Sequence, residues 1–270
     1  MKKILIVTGA SSGLGAEYAR QLPKIRQADE LWLFARRRSH LEEISKEISS
    51  SSSNRSLTIR IFETDLSGSA GVAAFDAVLA EQASGASGKI VIDTLVNNAG
   101  FGTYGPFAET PRERELSMLD INVYALTGIT HAILPFLQKG SRIINVASLA
   151  SFTPLGNFAV YAASKSYVLS FSYALAAELS EKGILVTAVC PGSVSTEFAN
   201  VASNGARKIV LNGKDPIKVV AHSLRRAEAG KYIAVMGFVW RFKAFASRFI
   251  GRYFFARYTF LHEKRPSNPA

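Results

Sequence analysis

Cysteine is nearly missing from this chain of 270 residues. The one thiol, Cys190, excludes an internal disulfide framework and fits a reducing, cytoplasmic setting. Its neighbours Val186-Thr-Ala-Val-Cys190 read as a buried strand, so the thiol is expected to pack and not to react. Histidine is sparse as well: His40, His131, His222 and His262 show no metal-ligand spacing, and no metal is expected. No apolar run reaches the length of a membrane-spanning helix. The short run after Lys2-Lys3 leads straight into a glycine loop, which marks a first strand and not a leader. Anions are also scarce, 21 against 32 cations for a net +11. From residue 231 onward eight cations face the single anion Glu263, a net of +7, so the excess is concentrated in the tail.

What is present is hydrophobic content of 48%, ample for a buried core. Short β-rich runs at about 3–8, 31–35, 57–62, 91–96, 141–147, 184–189 and 231–235 alternate with helical patterns. The helices read at about 14–24, 39–49, 68–83, 112–138, 157–181 and 215–228. That alternation implies parallel pairing with right-handed crossovers, hence a single-domain α/β doubly wound fold with a seven-stranded parallel sheet. The polar run Ser49–Asn54 is expected to be a flexible loop between helix and strand. The domain is expected to span 1–235, followed by a basic aromatic extension over 236–270.

Val7-Thr-Gly9-Ala-Ser11-Ser12-Gly13-Leu14-Gly15 lies between the first strand and the first helix, where a phosphate loop belongs. Glycines there permit φ > 0 and let backbone amides approach an anion at a helix N-terminus. Its spacing is GxxxGxG, not the commoner GxGxxG. The second strand ends on Phe34 and Ala35, without the carboxylate that an NAD ribose would take, and runs into Arg36-Arg37-Arg38. Cations just ahead of a helix start oppose its macrodipole, which suggests an anion between them: the 2′-phosphate of NADP(H), held by Arg36 or Arg37.

Ser148 ends an apolar strand-like run, and Tyr161-Ala-Ala-Ser-Lys165 opens a helix, so Tyr161 and Lys165 share one helix face. A phenol beside an ammonium is a route to an acid usable near neutral pH. Bringing a tyrosine from about 10 to about 7 takes roughly 4 kcal/mol of preferential phenolate stabilisation. A nearby lysine and a second cation in a water-poor cleft are expected to supply it.

Together these residues resemble the short-chain dehydrogenase/reductase family over nearly the whole chain. Thr8-Gly9-Ala-Ser-Ser-Gly13-Leu-Gly15 is similar to that family's TGxxxGxG, Asn97-Asn-Ala99-Gly100 to its NNAG, and Pro191-Gly192-Ser-Val194-Ser-Thr196 to its PGxVxT loop. Asn122, Ser148, Tyr161 and Lys165 match its catalytic tetrad. The resemblance implies a Rossmann fold and reduction of a carbonyl group, with Ser148 polarising the oxygen and Tyr161 as general acid. It implies that Lys165 lowers the tyrosine pKa and binds the nicotinamide ribose, and that Asn122 holds a relay water. It places Asp65 and Leu66 beside the adenine, Asn97 near the adenosine ribose, and Val194 and Thr196 at the carboxamide. Helices 112–138 and 157–181 are similar to those forming the family's homodimer and homotetramer interfaces.

Phe101, Tyr104, Phe107, Phe152, Leu155 and Phe158 are expected to line an apolar substrate pocket, which favours a small lipophilic carbonyl compound over a sugar. Residues 197–214 read as a mobile lid that orders on ligand binding. In the tail, Phe238, Phe242, Phe245, Phe249, Tyr253 and Phe260 fall within an arc of about 80° on a helical wheel, with basic margins and an interruption at Gly251. Such a stripe packs on its own domain or a partner subunit, or lies peripherally on a membrane through 238–260. No base-reading motif accompanies the charge, so no nucleic acid is expected. The alternative to a reductase is a nicotinamide-sensing protein that uses its basic tail to engage a membrane or partner.

Overall fold

The computed structural model describes residues 1–51, 56–84, 89–208, 210 and 212–268. Along β1 (Lys2–Thr8) and β2 (Glu30–Ala35) the side chains alternate between two cores. Leu5, Val7, Leu31 and Leu33 face one, while Ile4, Ile6, Trp32 and Phe34 face the other. Period-two alternation of apolar residues on both faces is what a parallel sheet covered by helices requires. The first core is closed by α1 (Gly13–Ile25), α2 (Arg38–Ser51) and α8 (Pro216–Glu228). The second is closed by α3 (Gly68–Ser84), α5 (Leu126–Ile133) and α6 (Ala159–Ser180).

With β3 (Thr58–Glu63), β4 (Ile90–Asn97), β5 (Arg142–Val146), β6 (Leu185–Val189) and β7 (Ile233–Ala234), the sheet has seven strands, all parallel, in the order β3-β2-β1-β4-β5-β6-β7. The order reverses between β1 and β4, so a crevice opens beyond their carboxyl ends. Thr8 pins that crevice: its hydroxyl accepts from the amides of Asn98 at 3.0 Å and Ala99 at 3.1 Å.

Three expectations change. The helix expected over 112–138 is three helical pieces, α4 (Arg112–Leu119), a π-helical turn over Asp120–Ala125, and α5, followed by a short 3₁₀ turn. The last strand shrinks to two residues, because β7 is an edge that meets only Ala188 and Val189. Ser49–Ser51 end α2 instead of opening a loop, and the remainder of that run, to Asn54, lies outside the described residues. After a short α7 (Phe198–Ala202), the tail forms two helices, α9 (Phe238–Ala246) and α10 (Arg252–His262), so its aromatic stripe does not continue along one cylinder.

α10 is seated on the loop before α6. Thr259 is fully buried and its hydroxyl accepts from the Gly156 amide at 2.9 Å, while Asn157 Nδ2 donates to the Phe260 carbonyl at 3.0 Å. Gly156 is obligatory there, since a Cβ would stand 2.6 Å from Phe260 Cα. Gly192 does the same for α9, with Trp240 Nε1 2.6 Å from the place of a Cβ.

Candidate active site

Ser148 follows β5 and caps the 3₁₀ turn Leu149–Phe152, its hydroxyl accepting from the Ala150 amide at 3.1 Å. Ser151 fixes its backbone: the Ser151 hydroxyl accepts from the Ser148 amide at 3.2 Å and donates to the Lys165 carbonyl at 2.7 Å. One short side chain therefore ties the serine turn to the helix that carries Tyr161 and Lys165. Tyr161 and Ser148 line the same cleft, and the Ser148 side chain favours the phenolate. Its ring stacks on Phe158 at 4.1 Å and tilts against Phe198 at 5.4 Å. Lys165 Nζ donates to the Val146 carbonyl at 2.9 Å and stands 5.8 Å from the centre of the Tyr161 ring.

The electrostatics differ from the sequence expectation. Burial raises the Tyr161 phenol above its ordinary value, with the Ser148 side chain opposing. Burial also pushes the Lys165 ammonium down to about 8. Desolvation is the largest cause at both groups, and it favours the neutral form of each.

Asn122 sits inside the π-helical turn, fully buried. Its Oδ1 accepts from the Phe101 amide at 3.1 Å, and its Nδ2 donates to the Phe101 carbonyl at 2.9 Å and to Ser164 Oγ at 3.1 Å. That side chain clamps the loop after β4 onto α6 and has no donor left over for a relay water. Gly100 lies between this clamp and the lysine; a Cβ there would meet Asn122 Oδ1 and approach Lys165 Nζ to 3.6 Å. A single-turn π-bulge is a recurrent way to aim such a side chain.

A cleft of about 1160 Å³ runs from Arg36 and Asp65, across the glycine loop, to Ser148, Tyr161 and Lys165. It is lined by Gly9, Ser11, Ser12, Gly13, Leu14, Arg37, Leu66, Ala99, Gly100, Pro191, Gly192, Val194 and Thr196. Gly15 is not in the lining; it is bare so that α1 can descend onto the Gly9 carbonyl. Asn97 is not in it either. Its Nδ2 donates into the core, to Thr130 Oγ1 at 2.9 Å and Asn145 Oδ1 at 3.0 Å. The neighbouring Asn98, which sequence reasoning passed over, lines the cleft and donates to the Thr8 and Gly9 carbonyls. Of the expected pocket aromatics, Phe101, Tyr104, Phe152, Leu155 and Phe158 line the cleft, whereas Phe107 is exposed on a surface turn. Phe198, Trp240, Phe255 and Tyr258 join them, the last three from the tail.

A model of the short chain dehydrogenase family matches residues 3–207. The chain belongs to that family. It is an oxidoreductase of alcohol and carbonyl groups. Among relatives, a sulfoacetaldehyde reductase of Chromohalobacter salexigens is 34% identical over 209 residues, 76% of this chain and 78% of that protein. An NADP-dependent 3-hydroxy acid dehydrogenase of Schizosaccharomyces pombe is 31% identical over 239 residues, 84% of this chain and 88% of that one. Among solved structures, a short-chain dehydrogenase from Sphingobium yanoikuyae in complex with NADPH superposes with a TM-score of 0.75 at 27% identity, covering 91% of this chain and 93% of that one.

The residues of this family member fit a dinucleotide. Gly9 and Gly13 both have positive φ, 65° and 54°. A Cβ on Gly9 would stand 2.8 Å from Ala99 Cα, and one on Gly13 would stand 3.3 Å from Thr196 Cβ, so only bare backbone leaves the floor open. Ser12 heads α1 without using its side chain as a cap, which leaves the first-turn amides free to bind an anion. Arg36 is widely exposed and 4.0 Å from Asp65, while Arg37 is engaged by Ser11 and Glu197.

Proposed function

We propose that this chain uses NADPH to reduce the carbonyl group of a small lipophilic compound, with Ser148, Tyr161, Lys165 and Asn122 as its working groups. The observation that carries the reading is the convergence of Ser148, the buried Tyr161 and Lys165 on one aromatic-lined cleft. Two hydroxyls converging on one point can both donate to an oxygen on which negative charge develops. Tyr161 then gives up its proton as general acid, and takes it back in the oxidative direction. Because burial holds the phenol high, the proton stays on Tyr161 until that oxygen demands it. Lys165, hung from the Val146 carbonyl, keeps its ammonium beside the ring and within reach of a ribose. Asn122 acts through its clamp on Phe101, fixing the loop that backs the reacting end.

Ser11, Ser12, Gly13 and Leu14 would hold the pyrophosphate, Asp65 and Leu66 the adenine, and Arg36 with Arg37 the 2′-phosphate. Val194 and Thr196 would meet the carboxamide. When bound, NADPH supplies the hydride. The relatives named above, one a reductase of an aldehyde and one NADP-dependent, agree with this direction and cofactor. The aromatic walls Tyr104, Phe152, Phe158, Phe198 and Trp240 favour an apolar substrate body.

The test is NADPH and NADH consumption over carbonyl compounds graded in chain length and ring size, with Tyr161→Phe as the blank. Tyr161-dependent oxidation of NADPH, faster with lipophilic members, is the expected result. Turnover retained in Tyr161→Phe would sink the assignment.

A further inference from the structure

The two tail helices have two unlike sides. Trp240, Phe242, Lys243, Ile250, Phe255 and Tyr258 line the cleft. Phe238, Phe245, Phe249, Tyr253 and Phe254 do not line it and lie open, from 57% exposed at Phe245 to 80% at Phe238. Phe238 stacks on Phe242 at 6.2 Å and Phe245 meets Phe249 at 5.3 Å, so the rings pair in sequence along α9 and the turn after it. A contiguous run of exposed aromatics marks an interaction surface, where a scattered single residue would not.

The charges beside them have one sign. Arg241, Arg248, Arg252 and Arg257 are all exposed and do not line the cleft, and residues 231–262 contain neither aspartate nor glutamate. Among the described residues, no ion pair joins any of these four to a carboxylate. A second copy of the chain laid on this face would set cations against cations with no anion between them. An anionic headgroup layer supplies the opposite sign, and aromatic rings anchor at the boundary just beneath it while arginine and lysine reach back to the phosphates.

We propose that the outer face of α9 and α10 docks the protein on an anionic lipid bilayer. No described helix is long and apolar enough to cross a membrane, so the contact is peripheral. The inner side of the same helices walls the cleft, and a carbonyl compound dissolved in the bilayer reaches it past one layer of helix. That consequence, unlike the docking itself, rests on the reading of the cleft as a lipophilic carbonyl site.

Co-sedimentation of the full chain with vesicles of phosphatidylcholine, with and without phosphatidylserine, reads the docking directly. The expected result is binding to the mixed vesicles, on the order of tenfold or more above phosphatidylcholine alone, and weakened by salt. Arg248→Glu/Arg252→Glu and Phe245→Ser/Phe249→Ser should each lose about tenfold or more in binding. Both variants should keep their melting temperatures and their turnover of a water-soluble ketone, and lose turnover of a vesicle-dissolved one. Failure of the wild type to bind mixed vesicles, or equal binding by both variants, overturns the proposal. So does a dimer in sedimentation velocity that the aromatic variant dissolves, which would assign the face to a second copy. Vesicle binding without turnover of any ketone would instead fault the catalytic reading and leave the docking standing.

Discussion

Arg37 and Glu197 join across the nucleotide end of the cleft, Nη2 to Oε2 at 3.0 Å, linking the turn after β2 to the segment before α7. The hydrogen bond from Arg37 holds the Glu197 carboxyl below its ordinary range. A 2′-phosphate entering beside Arg37 must compete with that carboxylate and meet its charge. Glu197→Gln should therefore raise the NADPH-to-NADH ratio of kcat/KM by about two- to fivefold, the scale of an exposed ion pair. Arg36→Ala should lower the ratio by about tenfold or more, as loss of a charge-assisted contact does. An unchanged ratio in Glu197→Gln would assign the phosphate to Arg36 alone.

Ser151 was invisible as a site residue, yet it holds the backbones of both Ser148 and Lys165. Ser151→Ala takes the hydroxyl partner from the Ser148 amide and a second contact from the Lys165 carbonyl, at a cost of about 1–3 kcal/mol. The expected outcome is a fall in kcat with little change in KM for NADPH, because the glycine-loop end is untouched. Ser151→Thr should recover part of kcat, since it restores the hydroxyl. Equal losses of kcat and of NADPH affinity would indicate general loosening instead.

Lys165, with its pKa brought down to about 8, gives the site a pH limit. Below that value the ammonium is present beside Tyr161, and above it the charge is lost, so reductive kcat/KM should fall as pH rises past about 8. The stability sign runs the other way. The unfolded lysine titrates near 10.4, so between about 8 and 10.4 the unfolded chain binds more protons and stability rises with pH. Lys165→Met should raise the melting temperature at pH 7 and lose that advantage near pH 10, while abolishing turnover. A melting difference independent of pH would show that the buried lysine is not desolvated.

Gly156→Ala tests the seat of α10, because the added Cβ meets Phe260 backbone at 2.6–2.7 Å. Overpacking of that kind costs about 1–3 kcal/mol. We expect faster proteolysis after residue 238 and altered ketone selectivity, with NADPH affinity held near the wild-type value. Unchanged proteolysis would mean that the loop before α6 yields and α10 stays.

The sheet was readable because burial on both faces imposes continuous apolar runs, as in Leu31–Ala35, and the cofactor loop because few residue types tolerate the backbone of Gly9 and Gly13. The reactive pair was readable because Tyr161 and Lys165 are near neighbours on one helix. Asn97 and Asn98 were not separable in the same way. They are adjacent and chemically identical, and only the pleat at the end of β4 sends one into the core and the other to the cleft. The π-helical turn around Asn122 was hidden because one extra residue in a turn barely disturbs a helical hydrophobic pattern. The tail could not be read from its own periodicity, since its seat depends on Gly156, Asn157 and Gly192, far away along the chain. The interruption expected at Gly251 is a break between Ala246 and Arg252, which divides the stripe between two helices. α7 was too short to leave a periodic signal, and the lid expected over 197–214 includes positions 209 and 211, which lie outside the described residues.

Asn157 grips Thr259, Phe260 and Glu263 across more than a hundred positions of sequence, and this separation gives the protein a birth order. A ribosome delivers the nucleotide floor before the aromatic roof. Contacts this remote form only after their intervening loop has closed, which makes them late and slow. The nascent chain therefore carries the phosphate cradle before α10 exists to seat on the loop at Gly156 and Asn157. Chaperone demand during synthesis should fall on that interval.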